Sequence, residues 1–373
     1  MHIPLIDNPP PAGYIYSMRA NVSLLIPFDL GLELDFTGKD AKEIVREVSE
    51  RPTPPLSFRG KSFEGARLTA SLYRFGVGLI DLSFQAEGEM DFLALLSCRT
   101  EEISVGKTPV AAWAKGLEDG LLARARKYAT YDYQRRMEEL DLFPVFVFEK
   151  GVVESAPAFL EKNRKALYGL VAGEPNYDAL SEFVLGEEKL INLGYYENEV
   201  ILIKRFGAAV SSAESKTVLE IIRLALSLHW SLRAYNFFLD RELDHAQSLL
   251  DHIPPWYKAW LMPRSYQMFS REALDFVKDK LSIVDSLYNV SRQIPRIESD
   301  WHLRTIFKNV EKEFDIDDLS KTVEVKLERI EDSYATAREF LSTNFFIAVE
   351  IILLLSFAWM VLDTTLLFII AKK

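Results

Sequence analysis

The stretch from Phe345 to Ala371, FFIAVEIILLLSFAWMVLDTTLLFIIA, constrains this chain more than any other. Only Glu350 and Asp363 interrupt an otherwise apolar or hydroxyl-bearing run. A helix needs about 20 such residues to cross the hydrocarbon core of a bilayer. The run is long enough to span with some tilt. Only Lys372 and Lys373 follow it, so the sequence predicts a tail-anchored protein: a large body held to a lipid bilayer through residues 345–371. A single C-terminal pass would leave most of the chain on the cytoplasmic or a matrix-like side. The N-terminus, MHIPLIDNPPPAGY, shows neither the basic-then-apolar order of a secretory signal nor an Arg-rich presequence.

The helix entering that run carries its own pattern. Val323, Leu327, Ile330, Tyr334, Ala337 and Leu341 follow Ser320 in steps of three and four, a heptad register. Neither proline nor glycine separates this register from the apolar run. One helix from Asp317 to Ile370 would be about 80 Å long at 1.5 Å per residue. A heptad seam must be covered. The expected covers are residues 271–293 in an antiparallel hairpin and a second copy of the chain, which makes the six seam residues candidate oligomerisation contacts. Glu350 and Asp363 lie on different faces of the helix. A charge in hydrocarbon costs at least a few kcal/mol and generally faces protein or water. Interfacial placement, a helix–helix contact in a homo-oligomer and ion conduction are the readings open to them. The long helix into the membrane resembles that of CorA-type magnesium channels in outline, but the sequence has one span and no Gly-Met-Asn triplet.

Ahead of the anchor, the first 210 residues mix strands and helices without a β-α rhythm. Strands are expected at 22–26, 30–36, 66–75, 77–84, 145–148 and 200–204, the last continuing past a bend over 206–210; a turn and then a short helix are read within 36–50, and helices at 91–99, over most of 113–142 and at 157–168. This gives an α+β fold class: a mixed antiparallel-sheet body over 1–210, a helical domain with a long stalk over 211–343, and the anchor over 344–373. An echo between YRFGVGLI at 73–80 and IKRFGAAV at 203–210 suggests two related subdomains. After Ser211 the period becomes helical, with Val218, Ile221, Ile222, Ala225, Leu228, Leu232 and Tyr235 on one wide stripe. Further helices are read over 271–293 and 300–314.

The sequence nominates no catalytic, cofactor-binding or metal-ligating residue. Gly38–Lys39 lacks phosphate-loop spacing, and Asp40 stands where magnesium would require Ser or Thr. FGVG lacks the third glycine of a dinucleotide fingerprint. His245 and His252 are about 10 Å apart along a helix, too far to share one ion. Asp240, Asp244 and Asp251 read as a solvated acidic face, and His229 beside Trp230 as a packing residue. Cys98 is the single cysteine, so neither an intrachain disulfide nor a cysteine-cluster metal site is possible. The run RARKYATYDYQRR interleaves basic and aromatic residues, but acidic residues follow at once and the net charge is −11. Nucleic-acid binding is therefore disfavoured.

Three stretches together resemble the YagE-like family, also called the required-for-meiotic-nuclear-division family. They are RFGVGLIDLSF at 74–84, YENEVILIKRFGAAVSSAESKTVLEIIRLALSLHWSLRAYNFF at 196–238, and residues 301–355 from WHLRTIF through the heptad helix to EIILLL. The chain departs from the family pattern at Leu79, Ile80 and Asp81, where valines and an aromatic are usual, and across 100–195. The resemblance implies a membrane-anchored oligomer without known catalysis, linked in mitochondrial relatives to organellar translation. The functional reading is a self-associating scaffold or tether that binds a partner protein through its body. The alternatives are a membrane-anchored enzyme with a pocket in the α+β body and an oligomer that handles small ions or lipids.

Overall fold

The computed structural model describes residues 17–36, 45–63, 65–133, 136–187, 189–251, 267–268, 270–278, 280, 283 and 300–371. The strands are β1 (Met18–Asp29), β2 (Leu32–Leu34), β3 (Val45–Pro52), β4 (Leu56–Phe58), β5 (Lys61–Phe63), β6 (Arg67–Tyr73), β7 (Val77–Gly88), β8 (Ser104–Val105), β9 (Thr108–Pro109), β10 (Ala129–Asp132), β11 (Phe143–Phe148), β12 (Val200–Lys204) and β13 (Gly207–Ser211). The helices are α1 (Met90–Cys98), α2 (Val110–Ala125), α3 (Ala156–Lys162), α4 (Arg164–Ala172), α5 (Glu182–Glu187), α6 (Ser215–Asp251), α7 (Trp301–Glu313) and α8 (Ile316–Ala371). The α+β class is as the sequence indicates: a mixed-sheet body followed by long helices.

The described residues group into two compact units. One draws on Met1–Ser231 and Ser286–Asp317, the other on Leu232–Asp285 and Asp318–Lys373. The sheet of the first unit has the order β12-β13-β11-β1-β7-β6-β3. Among the described strands, only β11 and β13 pair in parallel. β1 and β7 form its centre, with Val22 opposite Phe84 and Leu25 opposite Asp81.

Alternate residues of these central strands enter two different cores. Val22, Leu24 and Ile26 of β1 and Ile80, Leu82 and Phe84 of β7 pack with Leu93 of α1 and Leu167 and Leu170 of α4. Leu25, Leu79, Val145, Ile201 and Ile203 are buried on the opposite face. There α6 reaches Asp81 through Arg223, and Phe314, after α7, meets Phe143 edge-on at 5.5 Å. Strands buried on both sides lose the clean alternation of a half-exposed sheet. That is why SLLIPF in β1 reads as a continuous apolar run.

Two hairpin turns explain the internal echo. Tyr73 pairs with Val77 around Arg74–Gly76, and Lys204 pairs with Gly207 around Arg205–Phe206. Gly76 sits at φ +84°, where a Cβ would also meet the Leu32 carbonyl oxygen at 2.7 Å. Gly78 admits the Phe28 ring, which would lie 2.2 Å from a Cβ built there. Both glycines of FGVG are thus answered by packing.

Three sequence expectations are corrected. A turn and then a short helix were expected within 36–50, but Val45–Pro52 is a strand paired with β6. Residues 37–44 lie outside the described part. Local helix propensity yields there to a ladder supplied by the rest of the sheet. The helix expected over 113–142 spans only Val110–Ala125. Ala129–Asp132 instead pairs with β2, as suits a segment containing Thr130 and Tyr131. Pro144 ends no helix: it lies in β11 opposite Leu24.

In the second unit, the end of α6 packs with the described residues 270–278, 280 and 283 and with α8. Leu239, Ala246, Phe276 and Ile283 are buried. Tyr334 of α8 lies 5.6 Å from the Phe276 ring. Lys326 pairs with Asp240 and Lys280 with Glu331. Residues 284–293 of the expected 271–293 helix lie outside the described part, as do the proline-rich residues 1–16 and the linker 254–263.

Candidate functional site

The loop between α5 and β12 is built almost wholly from side chains that satisfy its own backbone. Asn192 Oδ1 accepts from the N–H groups of Gly194 (3.0 Å) and Ile201 (2.9 Å), while its Nδ2 donates to the Glu199 carbonyl. The buried Glu199 carboxylate accepts from Tyr195 N–H, Tyr196 N–H, Ser212 Oγ and Ala213 N–H. Burial alone would raise the Glu199 pKa. The hydrogen bonds from Ser212, Ala213, Tyr196 and Tyr195 outweigh it and hold the carboxyl below its ordinary value. From α7, His302 Nε2 lies 2.7 Å from the Leu193 carbonyl oxygen.

The outcome is an aromatic ledge fixed in place and turned outward. Tyr195 is 53 % exposed, Tyr196 62 % and Trp301 62 %. The Tyr195 ring centroid lies 4.8 Å from Tyr196, 5.7 Å from Trp301 and 5.4 Å from His302. Trp301 is the first residue of α7, whose N-cap Asp300 accepts from His302 and Leu303 N–H. Rings of this size are usually packed away, and exposed clusters of them mark interaction sites.

A second polar constellation is closed rather than open. Asp81 in β7 is paired with Arg223 of α6. Tyr73 is buried beside Ser227, and its phenol is pushed up to about 12, chiefly by burial. His229 is buried, its ring 5.6 Å from Phe314. Cys98 donates to the Gly169 carbonyl at 3.1 Å. Burial raises its thiol to about 11, which leaves too little thiolate for a nucleophile at neutral pH.

The heptad residues Val323, Leu327, Ile330, Tyr334, Ala337 and Leu341 are all buried within a single chain. The seam runs one heptad further, from Leu341 at 1 % exposed to Ala348 at 6 %, while Phe346, off that face, is 64 % exposed. From there α8 continues without a break through Ala371, its apolar side chains facing outward. Among the described residues it is the one helix long and apolar enough to cross a membrane. Glu350 and Asp363 are both exposed on it. The hydroxyls of Thr364 and Thr365 donate back to the carbonyls of Met360 and Val361 at 2.8 and 2.6 Å. That satisfies them inside the helix, as a non-aqueous surrounding requires.

The remaining sequence candidates are dispersed. In the basic run, Lys127 lies over the Tyr128 ring at 4.7 Å, and Arg136 pairs with Glu118 and Asp119, each at 3.6 Å. Arg135 lies outside the described residues, as do His2 and His252. Asp240 is engaged by Lys326, and His245 lies 3.6 Å from Glu272. No group of three or more His, Cys, Asp or Glu among the described residues is arranged to hold a metal ion. Two adjoining surface grooves of about 630 and 660 Å³ share Met18, Lys162 and Asn163. Two of their cations are engaged, Arg164 on the Glu182 carboxylate at 2.9 Å and Lys165 on the Asp178 main-chain carbonyl at 2.9 Å.

Sequence reasoning passed over the ledge and the Asp81–Arg223 pair. Each joins residues more than 100 positions apart, and only the fold brings them together. The YYEN doublet and the Asp300 cap ahead of Trp301 were the local signals available.

Fold and site together define an α+β domain joined to one long helix whose C-terminal half is apolar and exposed, consistent with a membrane-anchoring segment. The chain matches no family model, no curated protein and no solved structure.

Proposed function

We propose that the chain is a membrane-anchored, self-associating scaffold that holds a partner protein beside the bilayer, with its body on the cytoplasmic or matrix-like side. The observation that carries this is the character of α8. Its first part is locked into the second unit by six buried heptad residues, and its last part, 345–370, presents apolar side chains outward without a break in the helix. Exposed hydrocarbon on that scale calls for a lipid solvent. Since the seam is already filled within one chain, self-association falls to the segment beyond it. There Glu350 would be relieved of lipid by a helix–helix contact. The resemblance of residues 74–84, 196–238 and 301–355 to the YagE-like family supports the same reading, and membership in it is part of the proposal.

The test is membrane extraction. Full-length protein in vesicles should float with lipid and resist alkaline carbonate, whereas a chain lacking 345–371 should stay in solution. Release of the full-length chain by carbonate would overturn the anchor. Counting subunits in nanodiscs then tests association. Glu350→Leu should lower the count, and an unchanged count would remove Glu350 from that role.

A further inference from the structure

We infer that the ledge formed by Tyr195, Tyr196, Trp301 and His302 docks a proline-rich, arginine-flanked segment of a partner protein. This deepens the scaffold reading and rests on it. Three observations point to that occupant. First, the loop is held as a fixed platform, since the Asn192 and Glu199 side chains satisfy the N–H groups of Gly194, Tyr195 and Tyr196. Second, because those donors are engaged inside, the loop has little to offer a strand that would add through main-chain hydrogen bonds. What it offers is ring faces. A polyproline segment suits that surface: it lacks backbone N–H groups, is pre-ordered, and binds by laying its rings on aromatic grooves. Third, Glu197 and Asp300 directly adjoin the ledge in the chain and outnumber the one nearby cation, Arg304, and the whole chain is at −11. That charge complements arginine and opposes both nucleic acid and anionic lipid.

The experiment uses the full chain in nanodiscs of neutral lipid, with retention in the disc recorded separately. Loss of the anchor is thereby told apart from loss of the ledge. The probe is a fluorescein-labelled octaproline flanked by arginines, followed by fluorescence polarisation, against a glycine–serine peptide carrying the same arginines. Saturable binding of the proline peptide alone is expected. Tyr195→Ala and Trp301→Ala should each raise its Kd about tenfold or more while leaving disc retention unchanged. Both side chains are exposed, so the variants should fold. Glu199→Gln, which loosens the platform without removing a ring, should also weaken binding, and its effect on a positioning residue is read in the peptide Kd alone. Equal binding of both peptides, no saturable binding, or undiminished binding to both ring variants would overturn the proposal. So would brominated-lipid quenching of tryptophan fluorescence in the Trp359→Phe background that disappears when Trp301→Ala is added, which would assign the ledge to the bilayer.

Discussion

Arg223 of α6 and Asp81 of β7 form an ion pair on the face of the sheet where every strand neighbour is apolar or weakly polar. The Asp81 side chain is buried, and Arg223 retains some access to water. Removing one partner of such a pair strands the other charge, at a cost of about 3 kcal/mol or more. Asp81→Ala should therefore lower the free energy of unfolding by that amount. The double change Asp81→Leu with Arg223→Met should recover most of it. A double variant as unstable as the single one would show that the pair does not act as a unit.

Asp29 gives the first unit a defined pH response. Its carboxylate accepts from Gly31 N–H at 2.8 Å and Met137 N–H at 2.7 Å. Burial nevertheless dominates and raises its pKa from 3.8 to about 6, against the opposing pull of those bonds and of Arg136. The folded state then binds the proton more tightly than the unfolded chain. This group's contribution to stability is greatest below about pH 4, falls as pH rises to about 6, and is level beyond. The loss across that window is on the order of 3 kcal/mol. Unfolding measured at pH 4 and pH 7 should show Asp29→Asn gaining on the wild type by about 2–3 kcal/mol. A constant difference between the two proteins would rule this out.

Gly78 and Phe28 form a fitted pair. A methyl at 78 has no room beside the Phe28 ring, so Gly78→Ala should cost about 1–3 kcal/mol through overpacking. Adding Phe28→Leu should restore part of that. If Gly78→Ala alone leaves thermal stability unchanged, the ring must have space to move that the packing does not suggest.

For the heptad helix, burial within one chain makes stability the first quantity to move. Ile330→Asp places a carboxylate in a fully buried position of the second unit. It should cost about 4 kcal/mol or more, since an unpaired charge is added to a cavity-forming change. Phe346→Ala, exposed and off the seam face, should leave unfolding by urea within about 0.5 kcal/mol. Equal effects at the two sites would contradict the burial of the seam face alone.

How far the sequence could be read depended on how local the cause was. The apolar run 345–371 and the heptad register are patterns within one segment, and the long helix that carries both lies where they place it. The strand at Val45–Pro52 and the strand at Ala129–Asp132 exist because distant segments, β6 and β2, supply their ladders. Windows of local propensity gave helix at both. Asp81 stood out in the sequence only as a departure from a family pattern. Its meaning lay at Arg223, on another element. The ledge was hidden for the same reason: Tyr195 and Trp301 are ordinary in their own contexts and become a surface only when Glu199 and His302 bring the two segments to one place.

The unbroken course of α8 has a mechanical consequence. The apolar stretch 345–371 is about 40 Å long at 1.5 Å per residue, against a hydrocarbon core of about 30 Å. As the proposed anchor, the helix would lean to fit, and lean further in a thinner bilayer. With neither proline nor glycine between Ser320 and Ala371 to act as a joint, that lean would be passed on to Val323–Leu341 as through a stiff lever. The thickness of the membrane would thereby become a force felt at a protein core.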